Sequence, residues 1–377
     1  LDAWRNAELI DRSGKNYPLN DPRWRGDDGS PLRVVGIQGV TSETIDAAER
    51  SIWRYRAAIP VDPSNRISLG EGCTPLLPVD WSGTSIHFKL EWLNPTGSFK
   101  DRGASVMLTH LASQGATRVL EDSSGNGGAA VSAYAAAAGI AAKILVPEAT
   151  SAAKVLQARA FGSEIELVGG TRDQVSDEAI RQSAEIPYAS HNWHPMFLQG
   201  IKTIAYEIWE TLGFRAPDNV VTVAGAGSIP LGCDAAFHEL LAAGQIERLP
   251  RLLVGQPEQW ATIADTFNGL QVDQARQRRP TIAEGASIAR PVRLPEVVDA
   301  IRHSNGSAVG VSEEEIRAAT RKLSARGLYA EPTSAVAAAA LDRFLATGVI
   351  QPGETTVVIL TGSGLKSAEK MADVFAS

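Results

Sequence analysis

Cysteine is scarce: the 377 residues hold two, Cys73 and Cys233, far apart and outside any Cys-x-x-Cys pair. That excludes a disulfide framework and a cysteine-rich zinc site, so no metal is expected, and it fits a reducing compartment. Long apolar runs are missing as well. The most apolar stretch, Ala129 to Ala142, is interrupted by Ser132 and Tyr134. It is too short to span a bilayer, which takes about 20 residues. The opening LDAWRNAELIDRSGK lacks the basic-then-apolar pattern of a secretory signal, so a cytoplasmic protein away from membranes is expected. The chain opens on Leu, and residues are expected to precede it. Positive charge is in deficit: 36 Lys and Arg against 43 Asp and Glu leave a net charge of −7. That argues against a non-specific nucleic-acid binder, which needs a basic face to neutralise phosphates. The one dense basic cluster, Arg276-Gln277-Arg278-Arg279, reads as a solvated loop or helix end. Internal repeats and low-complexity tracts are also absent.

What is present is ordinary in bulk and specific in detail. Hydrophobic residues make up 44% and charged residues 21%, values of a globular enzyme. The length suggests two domains, or one large α/β body with an insertion. The first sixty residues read as a wrapping arm, with Thr41 to Arg56 helical and Trp4, Trp24 and Trp53 packing it; Trp209 lies on a helix face. Short apolar runs then alternate with helical patterns. Strands are expected at 85–90, 118–121, 143–146, 164–168, 220–223, 252–254 and 356–360. Helices are expected at 104–114, 128–139, 151–160, 203–212 and 233–243. Such alternation implies parallel or mixed sheets covered by helices on both faces. In these folds ligands sit beyond the carboxyl ends of the strands, where Gly-rich loops lead into helices.

Three such loops stand out, with one lysine. The stretch Asn94-Pro95-Thr96-Gly97-Ser98-Phe99-Lys100-Asp101-Arg102-Gly103 places Lys100 just after a turn, at a helix start. That end of a helix already carries partial positive charge. A helix start and burial both disfavour an ammonium, which suits an amine that must act as nucleophile and base. Asp101 and Arg102 read as helix stabilisers. The loop Gly225-Ala226-Gly227-Ser228-Ile229 follows a strand and precedes a helix. Its glycines let backbone approach a ligand, and its N–H groups favour an anion. A dinucleotide site would want a carboxylate about 20 residues further on. The next strand instead ends Leu253-Val254-Gly255-Gln256, so a single phosphate is favoured over a pyrophosphate or an empty turn. The loop Ser123-Ser124-Gly125-Asn126-Gly127 offers hydroxyls, a carboxamide and N–H groups suited to a carboxylate; alone it could equally be an N-cap. Thr361, in Thr361-Gly362-Ser363-Gly364, places a hydroxyl at a strand end. A nucleophilic amine, a phosphate cradle, a carboxylate cradle and a hydroxyl form the set that pyridoxal 5′-phosphate requires.

At these residues the chain resembles a known family. Ser68-Leu69-Gly70-Glu71-Gly72-Cys73-Thr74-Pro75-Leu76, Asn94 to Gly103, Ser124-Gly125-Asn126, Glu331-Pro332-Thr333-Ser334-Ala335 and Thr361 to Lys366 are similar, in order, to the motif series of threonine synthase. That enzyme is of the fold-type II pyridoxal-phosphate group, with tryptophan synthase β, cysteine synthase and threonine dehydratase. The resemblance implies that Lys100 holds the cofactor as a Schiff base and that Asn126 bonds its ring hydroxyl. It implies that residues Gly225, Ala226, Gly227, Ser228 and Ile229 bind its phosphate, and that Thr361 faces its pyridine nitrogen. A homodimer and a small amino-acid substrate are implied too, the substrate carboxylate resting on Ser123, Ser124, Gly125, Asn126 and Gly127. The expected division is 1–94 plus 193–377 as a large cofactor-phosphate domain, with 95–192 a smaller mobile one.

Departures from the pattern fall on the substrate side. Threonine synthases carry Asn-Pro-x-Arg before the GQKT-like element, and its arginine helps bind a substrate phosphate. Here the stretch reads His194-Pro195-Met196-Phe197, and a phenyl ring cannot make that contact. The usual Thr after the loop asparagine is Gly127. Thr281-Ile282-Ala283-Glu284-Gly285 is closer to the dehydratases. The expected function is therefore elimination or replacement at the β or γ carbon of an amino acid, with an altered substrate-phosphate site. One alternative is a true threonine synthase acting on O-phosphohomoserine, its phosphate held by His191, His194, Lys202 or Arg290. Others are a serine/threonine dehydratase and, from another class, a non-catalytic nucleotide-binding or interaction protein on a Rossmann-like scaffold. Trp193 is the tryptophan expected nearest the substrate pocket.

Overall fold

The computed structural model describes residues 6–272 and 278–376. Trp4, Arg276 and Gln277 lie outside them; Arg278 places its guanidinium 5.5 Å from the Trp260 ring. The chain forms two compact units, residues 1–73 with 94–203, and residues 74–93 with 204–377.

In the first unit a three-stranded parallel sheet is made by β6 (Arg118–Glu121), β7 (Ala141–Pro147) and β8 (Glu164–Val168). A bridge from Leu120 to Tyr188 extends it beyond β6. Around it run α1 (Lys100–Ser113), α2 (Asn126–Ala137), α3 (Ala152–Ala160), α4 (Arg172–Gln182) and α5 (Pro195–Ile201). Nearly all of α2 is alanine, glycine or other small residues and is buried for most of its length, as befits a helix apolar all round. A capping box starts α4, Thr171 and Gln174 each satisfying the other's backbone N–H. A small antiparallel sheet, β1 (Glu8–Ile10), β2 (Asn16–Pro18) and β3 (Arg33–Val35), completes the unit in the order β2-β1-β3.

The N-terminal arm therefore belongs with Lys100, a different partition from the expected one. The reason is a chain of buried hydrogen bonds onto α1. Trp53 Nε1 donates to Ser105 Oγ at 3.0 Å, Ser105 Oγ donates to Ile67 O at 2.7 Å, and Ile67 N donates to Thr109 Oγ1 at 2.9 Å. The helix expected over 41–56 is instead a 3₁₀ helix at Ile52–Ala58 preceded by turns. Short polar side chains hold those turns: Thr44 Oγ1 takes the Thr41 N–H and Asp46 the Ala48 N–H, local bonds that compete with helix formation.

The second unit is a six-stranded mixed sheet in the order β11-β10-β9-β12-β5-β4. Its strands are β4 (Leu76–Trp81), β5 (Thr84–Leu90), β9 (Asn219–Val223), β10 (Arg251–Pro257), β11 (Ser307–Val311) and β12 (Thr356–Leu360). Only β4 runs antiparallel, joined to β5 by Ser82 and Gly83. Both have φ near +60 to +80°, the geometry of a two-residue hairpin turn. Every residue of β9 and β12 is buried, as expected of central strands covered on both faces. The helices are α6 (Thr203–Thr211), α7 (Ser228–Ala242), α8 (Thr262–Phe267), α9 (Leu294–His303), α10 (Glu313–Ser324), α11 (Pro332–Ala346) and α12 (Ala368–Phe375). The alanine-rich α11 is buried for most of its length and opens with Pro at its first position. No helix among the described residues is long and apolar enough to cross a membrane.

Candidate active site

In the first unit Lys100 opens α1 after a tight turn. Asn94 O accepts the Gly97 N–H at 2.8 Å, and Gly97 has φ +84°. Asp101 locks this turn: its carboxylate accepts the Thr96 N–H at 2.6 Å and also bonds the Thr96 hydroxyl. Arg102, fully buried, donates to Thr203 Oγ1 at 3.0 Å. Both neighbours of the lysine are thus structural, as the sequence suggests. Lys100 itself is half-buried between two rings. Its Nζ lies 4.8 Å from the Phe99 centroid and 5.4 Å from the Phe197 centroid. Beside it Ser98 Oγ is buried with no hydrogen-bond partner among the described residues.

The Ser123–Gly127 loop leads from β6 into α2, with Asn126 the first helical residue and no side-chain cap on that helix. Ser123 is buried and Ser124 and Asn126 are half-buried. At Gly128 there is no room for a side chain, since a Cβ would lie 2.0 Å from Ser123 O. Behind the loop sits a buried polar group that sequence reading left unpaired. His191 places Nδ1 2.9 Å from Glu121 Oε1, and its N–H donates to Glu121 Oε2 at 3.1 Å. Tyr188 donates its hydroxyl to Asp122 at 2.8 Å. Burial pushes Glu121 up to about 7, against the N–H groups of His191 and Asp122 and the charge of Lys100. Burial likewise raises Asp122 and holds His191 well below its usual range.

In the second unit Gly227 caps α7, a helix of 15 residues, with φ +92° and gives it no side-chain cap. A Cβ on Gly227 would meet Val297 at 2.2 Å, and one on Gly225 would meet Gly285 O at 2.8 Å. Packing therefore requires glycine at both positions, and the backbone N–H groups at the start of α7 are the ones that would meet an anion. The segment around Gly285 backs this loop and is held by Thr333 Oγ1, which accepts the Gly285 N–H at 3.1 Å. Thr361, at the end of β12, is buried but not alone. Its N–H donates to Ser334 Oγ at 2.9 Å, the two hydroxyls lie 2.9 Å apart, and Thr361 Oγ1 donates to Glu331 at 3.3 Å. The Glu331-to-Ala335 motif is thus the holder of Thr361, a role the sequence alone did not reveal.

Of the other candidates, His194 caps α5 through Met196 N at 3.3 Å and stacks edge-on with His110. Lys202 is wholly buried at the end of that helix. Trp193 packs edge-on against Trp24, centroids 5.2 Å apart, beside the cluster of Leu120, Leu145 and Tyr188. Phe197 is fully buried and meets both Lys100 and His191.

A family profile described as pyridoxal-phosphate dependent enzyme matches residues 67–362. The chain belongs to the pyridoxal-phosphate-dependent enzyme family, and its cofactor is pyridoxal 5′-phosphate. It is 34% identical over 374 residues to a threonine synthase of Methanocaldococcus jannaschii, covering 95% of this chain and 92% of that one. It is 35% identical over 330 residues to a threonine synthase of Mycobacterium tuberculosis, covering 84% and 89%. Among solved structures it is similar to a threonine deaminase isoform 2 from Solanum lycopersicum, with TM-score 0.69, 23% identity and coverage of 80% and 83%. A threonine deaminase from T.th. gives TM-score 0.63, 26% identity and coverage of 77% and 92%. The fold is that of the fold-type II enzymes. Within each unit the residues suit the cofactor: in the second, the start of α7 after Gly225-x-Gly227, with no side-chain cap, and the buried hydroxyl of Thr361; in the first, Lys100 and, two residues before it, the buried hydroxyl of Ser98, partnerless among the described residues.

Proposed function

We propose that this enzyme catalyses elimination or replacement at the β or γ carbon of an amino acid whose leaving group is not a phosphate. The observation that carries this reading is Phe197. A buried phenyl ring 5.4 Å from Lys100 Nζ stands where the resemblance to threonine synthases expects an arginine. An arginine fork would hold a phosphate through paired charged hydrogen bonds; a phenyl ring offers none.

Lys100 and Asn126 in the first unit, and Gly225 to Ile229 and Thr361 in the second, are the residues that would hold the cofactor. When bound, pyridoxal phosphate supplies an electron sink for the pair released at the substrate α carbon. Lys100, as a neutral amine, takes the α proton. The N–H groups at the start of α2, with Ser123 and Ser124, orient the substrate carboxylate. Thr361 is held by Ser334 and Glu331, so its hydroxyl is fixed before any ligand arrives. Thr361 would offer the ring nitrogen a hydroxyl rather than a carboxylate, which would make the sink milder and suit it to elimination and replacement. Motion of the first unit, residues 94–203 with the arm bonded to α1, would exclude water, and the enzyme would act as a homodimer in the cytoplasm.

Steady-state assays test the reading. The protein is expected to release keto acid from serine or threonine, and no phosphate from O-phosphohomoserine. Phosphate release with threonine formation from O-phosphohomoserine would establish a true threonine synthase instead.

A further inference from the structure

Gly127, His191 and Phe197 meet at one place in the first unit, beside Lys100. A Cβ on Gly127 would stand 2.7 Å from His191 Nδ1 and 3.0 Å from its Cε1. The imidazole therefore fills the room that a side chain at 127 would need. The Phe197 ring lies 6.0 Å from the imidazole, centroid to centroid, and 5.4 Å from Lys100 Nζ. Glu121 anchors the group from behind. The carboxyl group of Glu121 accepts the backbone N–H of His191 at 3.1 Å and meets its Nδ1 at 2.9 Å, a contact in which one proton is shared between oxygen and nitrogen; with that proton on Glu121, Nε2 carries the ring's own. That fixes the position of the residue and the plane of its ring. Nε2 is left over: among the described residues nothing hydrogen-bonds to it, and His191 keeps 6% of its surface open.

A carboxylate–imidazole pair with one nitrogen open is an arrangement that delivers and removes protons. The chemistry of the leaving group says where such a pair is needed. A phosphate departs as a stable anion and wants positive charge around it. A hydroxyl departs as water only if a proton reaches its oxygen. Here the arginine is missing and a proton carrier is present. We propose that His191, held by Glu121, gives a proton to a hydroxyl leaving group on the side chain of the substrate, so that the substrates are hydroxy amino acids.

The step balances as a dehydration. Lys100 takes the α proton, and the electron pair of that bond ends between Cα and the neighbouring carbon. The C–O pair leaves with oxygen, which takes the Nε2 proton and departs as water. Lys100 ends one proton richer and the pair one proton poorer, and solvent exchange restores both. The charged and titratable groups around the ring are Glu121 on β6, Asp122 in the loop after it, Lys100 on α1 and Arg172 on α4. Lys100, Arg172 and burial oppose a cationic ring, and Asp122 favours one. With Glu121 raised to about 7, the pair takes up one shared proton near neutrality.

This inference rests on the proposed reaction, and the experiment separates the two. Serine and β-chloroalanine share a carbon skeleton and differ in the group that leaves; chloride needs no proton. In the holoenzyme, His191→Asn is expected to lower serine turnover about 100-fold or more, the usual worth of a general acid. Its loss with β-chloroalanine should be a small fraction of that. Exchange of the serine α proton with deuterium from solvent should continue. Glu121→Gln should flatten the fall of serine turnover as pH rises through about 7. Should His191→Asn fail to fold, His191→Gln is measured the same way. Equal losses with both substrates, in a variant whose circular dichroism and cofactor absorbance match the parent, overturn the role of His191 alone. A parent enzyme that turns over neither substrate yet makes threonine from O-phosphohomoserine overturns this inference together with the proposed reaction.

Discussion

At the scale of single residues the unusual feature is glycine at 127. In a helix start Ala would ordinarily be favoured over Gly by about 1 kcal/mol. Here the added methyl would press on the His191 ring at 2.7 Å, and on Ser123 Oγ at 3.0 Å. Overpacking of that kind costs about 1–3 kcal/mol, so the clash outweighs the propensity. Gly127→Ala is therefore expected to lower unfolding free energy in urea, where an exposed Gly→Ala would raise it. An increase in stability would show that the imidazole is not held where Glu121 places it. The pairing of Glu121 with His191 was not legible in the sequence. The two are 70 positions apart, and they meet because the Leu120–Tyr188 bridge brings the segment before His191 alongside β6. The place of Lys100 at the start of a helix, by contrast, was legible from the turn before it.

At the scale of elements, α5 lies against α1 with no side chain between them at Gly200. A Cβ there would stand 1.9 Å from Arg102 O. That obstacle is backbone and cannot rotate away, unlike the phenyl ring that faces Gly103. Gly200→Ala should therefore push the two helices apart, displacing Phe197 from Lys100. A cost at or above the upper end of about 1–3 kcal/mol is expected. The check is the thermal midpoint together with the apparent cofactor affinity, and an unchanged affinity would separate α5 from the cofactor site. Strand boundaries were read well from sequence where short apolar runs end at polar or glycine-rich turns, as at Arg118–Glu121, Glu164–Val168 and Thr356–Leu360. The region from α9 to α11 went unassigned. For α10 the signal was available, a Ser312–Glu315 capping box with acidic residues in the first turn and basic ones in the last. For α11 it was weak, because a helix buried on nearly every side shows no amphipathic period.

At the scale of the whole molecule, the two units are each a separate α/β construction, and the alternation of strands and helices announced that class. What it could not announce was the allegiance of the N-terminal arm, because that depends on Trp53, Ser105 and Thr109 finding one another across some fifty residues. The first unit should also be sensitive to mild acid. His110 is buried, and burial holds its ring neutral down to about 4 from an ordinary 6.5. The unfolded chain takes up this proton near 6.5 and the folded chain does not. The contribution to stability is therefore whole above 6.5 and is lost as pH falls towards 4. Between pH 7 and 5 that loss is about 2 kcal/mol, at 1.36 kcal/mol per unit. His110→Gln should be less stable than the parent at pH 7 and lose less on going to pH 5, by urea denaturation at both values. Parallel declines in the two proteins would mean that His110 is not the titrating group.

The most direct test is chemical. The purified, pyridoxal-phosphate-loaded protein is reduced with borohydride, digested, and its peptides weighed. The cofactor mass should fall on Lys100, and Lys100→Ala should lose both the adduct and the visible absorbance. A tag on any other residue, or the same adduct in Lys100→Ala, would contradict the account.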